Sequence, residues 1–178
     1  MNNLNFIYPE IFISLSMMFL LIIGVFKKKS SDLVFLLSAV TLLIALGTLI
    51  KFPSDQELFL FNESYKIDQL STFMKIVTII SGIFVLISSY KYVKLVKILD
   101  IEYPILILSS ILGMLVMISS YDLIVFYVGL ELQTLSLYVL AAFDRNQKNS
   151  SEAGLKFFVL SALSSGLLLY GCSLIYGF

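Results

Sequence analysis

Six long apolar runs, separated by short polar stretches, leave this chain few ways to fold. A helix crossing a bilayer needs about 20 mostly apolar residues. Inside lipid it must also bond every backbone N–H and C=O internally. The runs lie at 7–26, 33–50, 67–90, 103–119, 122–142 and 152–176. Lys27-Lys28-Lys29 closes the first and Lys51-Phe52-Pro53 the second. A polar loop with Asp55, Glu57, Asn62 and Glu63 follows. The third is expected to continue as an amphipathic helix through Lys91, Lys94 and Lys97. The fourth opens at Tyr103-Pro104, where a first helical turn tolerates proline. "SSYD" before the fifth reads as a capping box. Charged residues make up 13% of the chain and hydrophobic ones 59%. A soluble domain carries about a quarter charged residues. The expectation is an all-α integral membrane protein of about six transmembrane helices, one domain over 1–178, in contact with lipid.

The same composition excludes much chemistry. The formal net charge is +0, which offers nucleic acid no electrostatic footprint. There is no His and one Cys, so no zinc, haem or iron–sulfur site is expected. Cys172 can form no disulfide within the chain and reads as a packing residue. The N-terminus lacks a basic region and a small-residue cleavage site, and Pro9-Glu10 interrupts it, so the first run reads as a retained span. Lys and Arg concentrate in the loops after spans one, three and five. Because such loops favour the cytoplasmic or matrix side, both termini are expected outside.

Three ionisable residues lie well inside spans: Lys75, Glu131 and Lys156. Charge at membrane depth costs roughly 3 kcal/mol or more and marks function by default. Tyr127, Glu131, Thr134 and Tyr138 share one helical face, a polar stripe along an apolar helix. It reads as a proton-handling carboxylate with hydroxyls that order water, or as a structural acid locking two helices. Gly129, Gln133 and Ser136 fall on another face and suit close packing. Lys156 reads as a snorkelling lysine or as a functional one, and Lys75 as snorkelling or paired with Asp68. Depth alone argues against a Glu131–Lys156 salt bridge: counted from the loop between them, the two Cα atoms differ by on the order of 9 Å. In span six, Ser161, Ala162, Ser165 and Gly166 give small-residue spacing that predicts tight contact with neighbouring helices. No nucleotide loop, nucleophile–base set or metal cluster is visible, which leaves transport, coupling or scaffolding.

Two segments carry a resemblance: "SSYDLIVFYVGLELQTLSLYVLAAF" (119–143) and "EAGLKFFVLSALSSGLLLYGCSLIYG" (152–177). With "YPEIFI" (8–13), they resemble the second-subunit family of respiratory complex I, whose members are antiporter-like proteins of its membrane arm. The resemblance implies proton translocation coupled to NADH:ubiquinone oxidoreduction, with Glu131 and Lys156 as the translocating residues. Alternatives are a vestigial brace of the membrane arm, or a cation/proton antiporter relative. It further implies an incomplete antiporter-like fold, the start of the first inverted repeat, with a companion chain carrying the remaining spans and other membrane-arm subunits as partners. NADH, FMN, iron–sulfur clusters and ubiquinone are expected elsewhere in the complex, with no cofactor and no redox chemistry in this chain. The expected location is the mitochondrial inner membrane, with a bacterial plasma membrane as the alternative.

Overall fold

The computed structural model describes residues 7–26, 31–51, 57–96 and 100–177. Lys27, Lys28, Lys29, Pro53, Asp55 and Lys97 lie outside these. Six helices follow one another: α1 (Tyr8–Phe26), α2 (Ser31–Lys51), α3 (Gln69–Val96), α4 (Glu102–Ile118), α5 (Leu123–Ala141) and α6 (Lys148–Gly177). Five are long and apolar enough to cross a membrane; α4 is apolar but shorter. The fold is an all-α membrane fold. α3 runs on through Lys91 and Lys94, as the amphipathic continuation requires.

α4 is the centre of the bundle, packing on α1, α2, α3 and α5. Its buried residues, including Ile105, Ile107, Leu108, Ile111 and Leu115, point in several directions. A helix apolar all round belongs inside. At 17 residues α4 is about 25 Å long, and its neighbours rather than lipid surround it. Gly113 and Gly129 bring α4 against α5. A Cβ on Gly113 would lie 2.6 Å from the Gln133 nitrogen, and one on Gly129 would lie 2.9 Å from the Met117 nitrogen. Ser136 donates to Ser109 across the same seam at 2.9 Å. The face bearing Gly129, Gln133 and Ser136 is thus the α4 interface.

Successive helices alternate in direction. At one end, Asp32 at the start of α2 meets Tyr90 and Lys94 near the end of α3. Arg145 there meets Glu102 at the start of α4 at 3.8 Å. This is the basic end. At the other end the sequence reading needs correction. The polar stretch before α3 is not a plain loop: β1 (Leu58–Leu60) and β2 (Tyr65–Ile67) form an antiparallel hairpin. Its tip places Phe61, Asn62 and Glu63 at φ of 54°, 53° and 68°. Asn tolerates the left-handed region and the other two pay for it locally. The hairpin is held by its other edge: Lys66 N donates to Ser119 O (2.8 Å) and Tyr121 N to Ser64 O (3.0 Å), tying it to the α4–α5 turn.

Two caps at this end were misread or missed. No "SSYD" capping box forms; Asp122 alone caps α5, accepting from Ile124 N at 3.2 Å. α3 carries a reciprocal box instead. Ser71 N donates to Asp68 Oδ1 (2.7 Å), and Asp68 N donates to Ser71 Oγ (2.9 Å). α6 lies outermost against α5. Gly154 closes on Ala142 and Cys172 is buried; Ser161 and Ser165 are half-buried on the same stripe, whereas Ala162 and Gly166 are exposed and the expected tight contact is not made around them among the described residues. Gly166 faces open space, and its neighbours Leu163 and Leu167 are exposed. Ala162 and Gly166 sit on the face of α6 that α5 does not cover, while Ser161 and Ser165 fall on the α5-facing stripe.

Candidate functional site

Glu131 sits near the middle of α5, roughly 12 Å from its start. The residue is half-buried, but its Oε1 is sealed from solvent and has no hydrogen-bond partner. Among the described residues Glu131 makes no ion pair. A carboxylate oxygen without a partner in a low-dielectric interior costs roughly 1–3 kcal/mol or more.

The rest of the stripe behaves unevenly. Thr134 donates to the carbonyls of Leu130 (2.9 Å) and Glu131 (3.2 Å), so its hydroxyl is spent on its own helix. Tyr127 is half-buried. Tyr138 is buried between the rings of Phe157 and Phe158, at centroid distances of 4.9 and 5.7 Å, and is the main anchor of α6 on α5. It also lines a cleft of about 780 Å³ that opens at the basic end between α5, α6 and the start of α4. Asp100, Glu102, Asp144 and Arg145 ring that cleft. The stripe therefore begins at an open, charged mouth, reaches Glu131 two turns deeper and runs one turn further to Tyr127.

Lys156 does not join Glu131. Its ammonium turns back one turn to Glu152 Oε1 at 2.6 Å, and its side chain is 68% exposed. The ammonium is directed toward the basic end, the direction expected of a snorkelling lysine.

Lys75 contradicts both of its expectations. It neither snorkels nor pairs with Asp68. It is 1% exposed and forms a 2.6 Å ion pair with Glu10 of α1, itself 5% exposed. Tyr65 of β2 donates its phenol proton to Glu10 Oε1 (2.8 Å) and accepts from Lys75 Nζ (3.2 Å). Burial, followed by the negative charge of Glu10, pushes the Tyr65 phenol above its ordinary range, so it stays an O–H donor. Glu10 Oε2 and the nearby Ser119 hydroxyl are buried without partners. Asp68 instead pairs with half-buried Lys66, and the Ser71 backbone N–H holds its carboxyl below the ordinary range. Sequence reasoning treated Glu10 only as an interruption. The available signal was a carboxylate and a lysine near the same end of two parallel spans, α1 and α3. Within these described residues no group of three or more His, Cys, Asp or Glu is placed to hold a metal.

Comparisons with known proteins place the chain beside subunits of NADH-quinone oxidoreductase. Residues 120–178 match a family model described as NADH:quinone oxidoreductase/Mrp antiporter, TM. NADH-quinone oxidoreductase subunit N of Pelagibacter ubique is 66% identical over the whole chain. The Bartonella bacilliformis subunit N is 49% identical over 99% of it. The chain spans 38% and 36% of the length of these relatives. A chain of respiratory complex I from Thermus thermophilus, solved with bound aureothin, superposes with a TM-score of 0.78 at 25% identity. That match covers 95% of this chain and 36% of the other. Nearly end to end, then, this chain is similar in sequence to bacterial NADH-quinone oxidoreductase subunit N and in fold to a chain of respiratory complex I, over somewhat more than a third of the length of each.

Proposed function

We propose that this chain forms part of the antiporter-like subunit N of a proton-translocating NADH-quinone oxidoreductase, with Glu131 as a proton-carrying carboxylate. The observation that carries the reading is the buried, unpartnered Oε1 of Glu131. An acid in this bundle has the means to find a cation, as Glu10 does in Lys75. Glu131 instead keeps an open bonding position at membrane depth, the condition for accepting and releasing a proton.

In this reading the cleft at the basic end admits water as far as Tyr138, with Lys156 near its approach. Tyr127 and Thr134 border the carboxylate on its own helix. The cationic partner of Glu131 comes from the part of subunit N that this chain does not span, on a companion chain, with lipid and other membrane-arm subunits around the assembly. NADH oxidation and quinone reduction belong to those other subunits, with their FMN and iron–sulfur clusters, and this chain performs no redox step. The relatives are bacterial, so the reading places the chain in a bacterial plasma membrane rather than the mitochondrial inner membrane. The basic end faces the cytoplasm and the hairpin end the outside.

The test is Glu131→Gln in the assembled complex. Glutamine keeps shape and hydrogen-bonding capacity but loses the titratable proton. Assembly is expected to persist while protons moved per NADH fall. A normal ratio would make the chain a structural brace.

A further inference from the structure

We infer that Glu10, Tyr65 and Lys75 form a second proton-exchanging site, at the hairpin end of the bundle, distinct from Glu131. The inference rests on the proposed function for its physiological direction, but its chemistry stands on local geometry. An acid and a base, both almost wholly buried, come from separate helices and meet at 2.6 Å. One hydroxyl touches both, at 2.8 and 3.2 Å. All three distances fall in the range of about 2.6–3.2 Å in which protons transfer along hydrogen bonds.

The step balances without any further reactant. The Tyr65 O–H bond breaks as its proton moves to Glu10 Oε1, and a Lys75 N–H bond breaks as that proton moves to the Tyr65 oxygen. The products are a carboxylic acid, a neutral amine and an unchanged phenol. The ionised and neutral forms have the same net charge, so neither leaves an uncompensated ion buried. Protons held in such a pair belong to the pair rather than to either residue.

Two further observations separate this cluster from an ordinary structural ion pair. Glu10 Oε2 is buried with no partner, so the carboxylate keeps an acceptor position that a saturated latch would have filled. Tyr65 lies on the hairpin itself. The next residue, Lys66, bonds Glu57 at 3.0 Å and Asp68 at 3.6 Å on the outer side. The strand that carries the phenol into the buried pair thus carries, at its next position, the ion pairs of Lys66 with Glu57 and Asp68, and Asp122 caps α5 beside the hairpin.

Infrared difference spectra of the assembled complex, recorded on NADH addition, test the site. A protonated-carboxyl band is expected that disappears in Glu10→Gln and persists in Glu131→Gln. Tyr65→Phe, which keeps the ring and removes the relay hydroxyl, is expected to slow the band about tenfold. Where Glu10→Gln fails to assemble, the double variant Glu10→Gln/Lys75→Met leaves no buried unpaired charge and serves in its place. A spectrum without a Glu10-dependent band, or one whose band appears at the wild-type rate in Tyr65→Phe, overturns the inference and leaves a permanently ionised latch. Proton pumping measured on the same Glu131→Gln preparation reads the proposed function separately, so either can fail alone.

Discussion

Two carboxylates in this bundle, buried Glu10 and half-buried Glu131, differ in whether a cation reaches them. Glu10, at the hairpin end, has a lysine and a phenol on one oxygen and its other oxygen unpartnered. Glu131, at mid-depth, keeps an oxygen with nothing bonded to it. The difference follows from where the chain places donors. α1 and α3 both start at the hairpin end, and a lysine side chain in a helix leans back toward its own N-terminus. Lys75 therefore reaches up to meet Glu10. On α5 the nearby hydroxyl of Thr134 is already bonded to its own helix, and Lys156 leans toward the basic end, away from Glu131. The same geometric rule thus brings one lysine to its acid and takes the other away. The charge that holds α1 to α3 is compensated locally, whereas the one on α5 awaits a proton or a partner.

The sharpest break in that comparison is Lys75→Met. It strands Glu10 in the interior and should cost about 3–5 kcal/mol, the usual penalty for removing one member of a buried pair. Adding Glu10→Gln should recover most of it. Thermal unfolding in detergent reads both, and an undisturbed single variant would mean that the pair carries no stability.

Next in size is the α4–α5 seam that positions Glu131. Gly129→Ala puts a methyl group 2.9–3.0 Å from the Met117 nitrogen and the Gly113 oxygen. Forcing the two helices apart should cost about 1–3 kcal/mol. Gly166→Ala is the control, because nothing in this chain lies within 4 Å of the added carbon. It should stabilise the isolated chain by up to about 1 kcal/mol through helix propensity. Destabilisation of the assembled complex by the same change would show that a partner packs on that face of α6.

Asp68→Ala removes one side of the reciprocal cap on α3 and should cost about 1 kcal/mol. The Asp68 carboxyl is held below its ordinary value, first by the Ser71 backbone N–H. Its contribution is therefore present above the unfolded pKa of about 4 and is lost as pH falls through the lower folded value. The gap between wild type and Asp68→Asn should close in acid when unfolding is followed against pH.

The smallest expected change in folding is Glu131→Gln. Since that oxygen has no partner to lose, stability should shift by less than about 1 kcal/mol or rise slightly. A loss as large as that of Lys75→Met would show that Glu131 is a second structural pair and erase the contrast.

Apolar run length and the spacing of breaks determined the helical membrane fold, because unbonded backbone is intolerable in lipid. Helical periodicity likewise placed Gly129, Gln133 and Ser136 on one packing face and Glu131 on another, since 3.6 residues per turn is a property of the chain alone. The depth argument that keeps Lys156 from Glu131 came from the same source. Three things were decided only when helices met. The hairpin forms because its edge bonds to the α4–α5 turn, some 55 residues further along the chain. Lys75 chose Glu10 over Asp68 because Asp68 is engaged by Ser71 and Lys66, while Glu10 lies across an interhelical gap that no local pattern reports. Only half of the small-residue set on α6 found a neighbour: Ser161 and Ser165 line up with Gly154 and Cys172 on the stripe toward α5, while Ala162 and Gly166 point away from it. Periodicity shows which face of a helix can pack or pair, but the partner is set by distances between segments far apart in the chain.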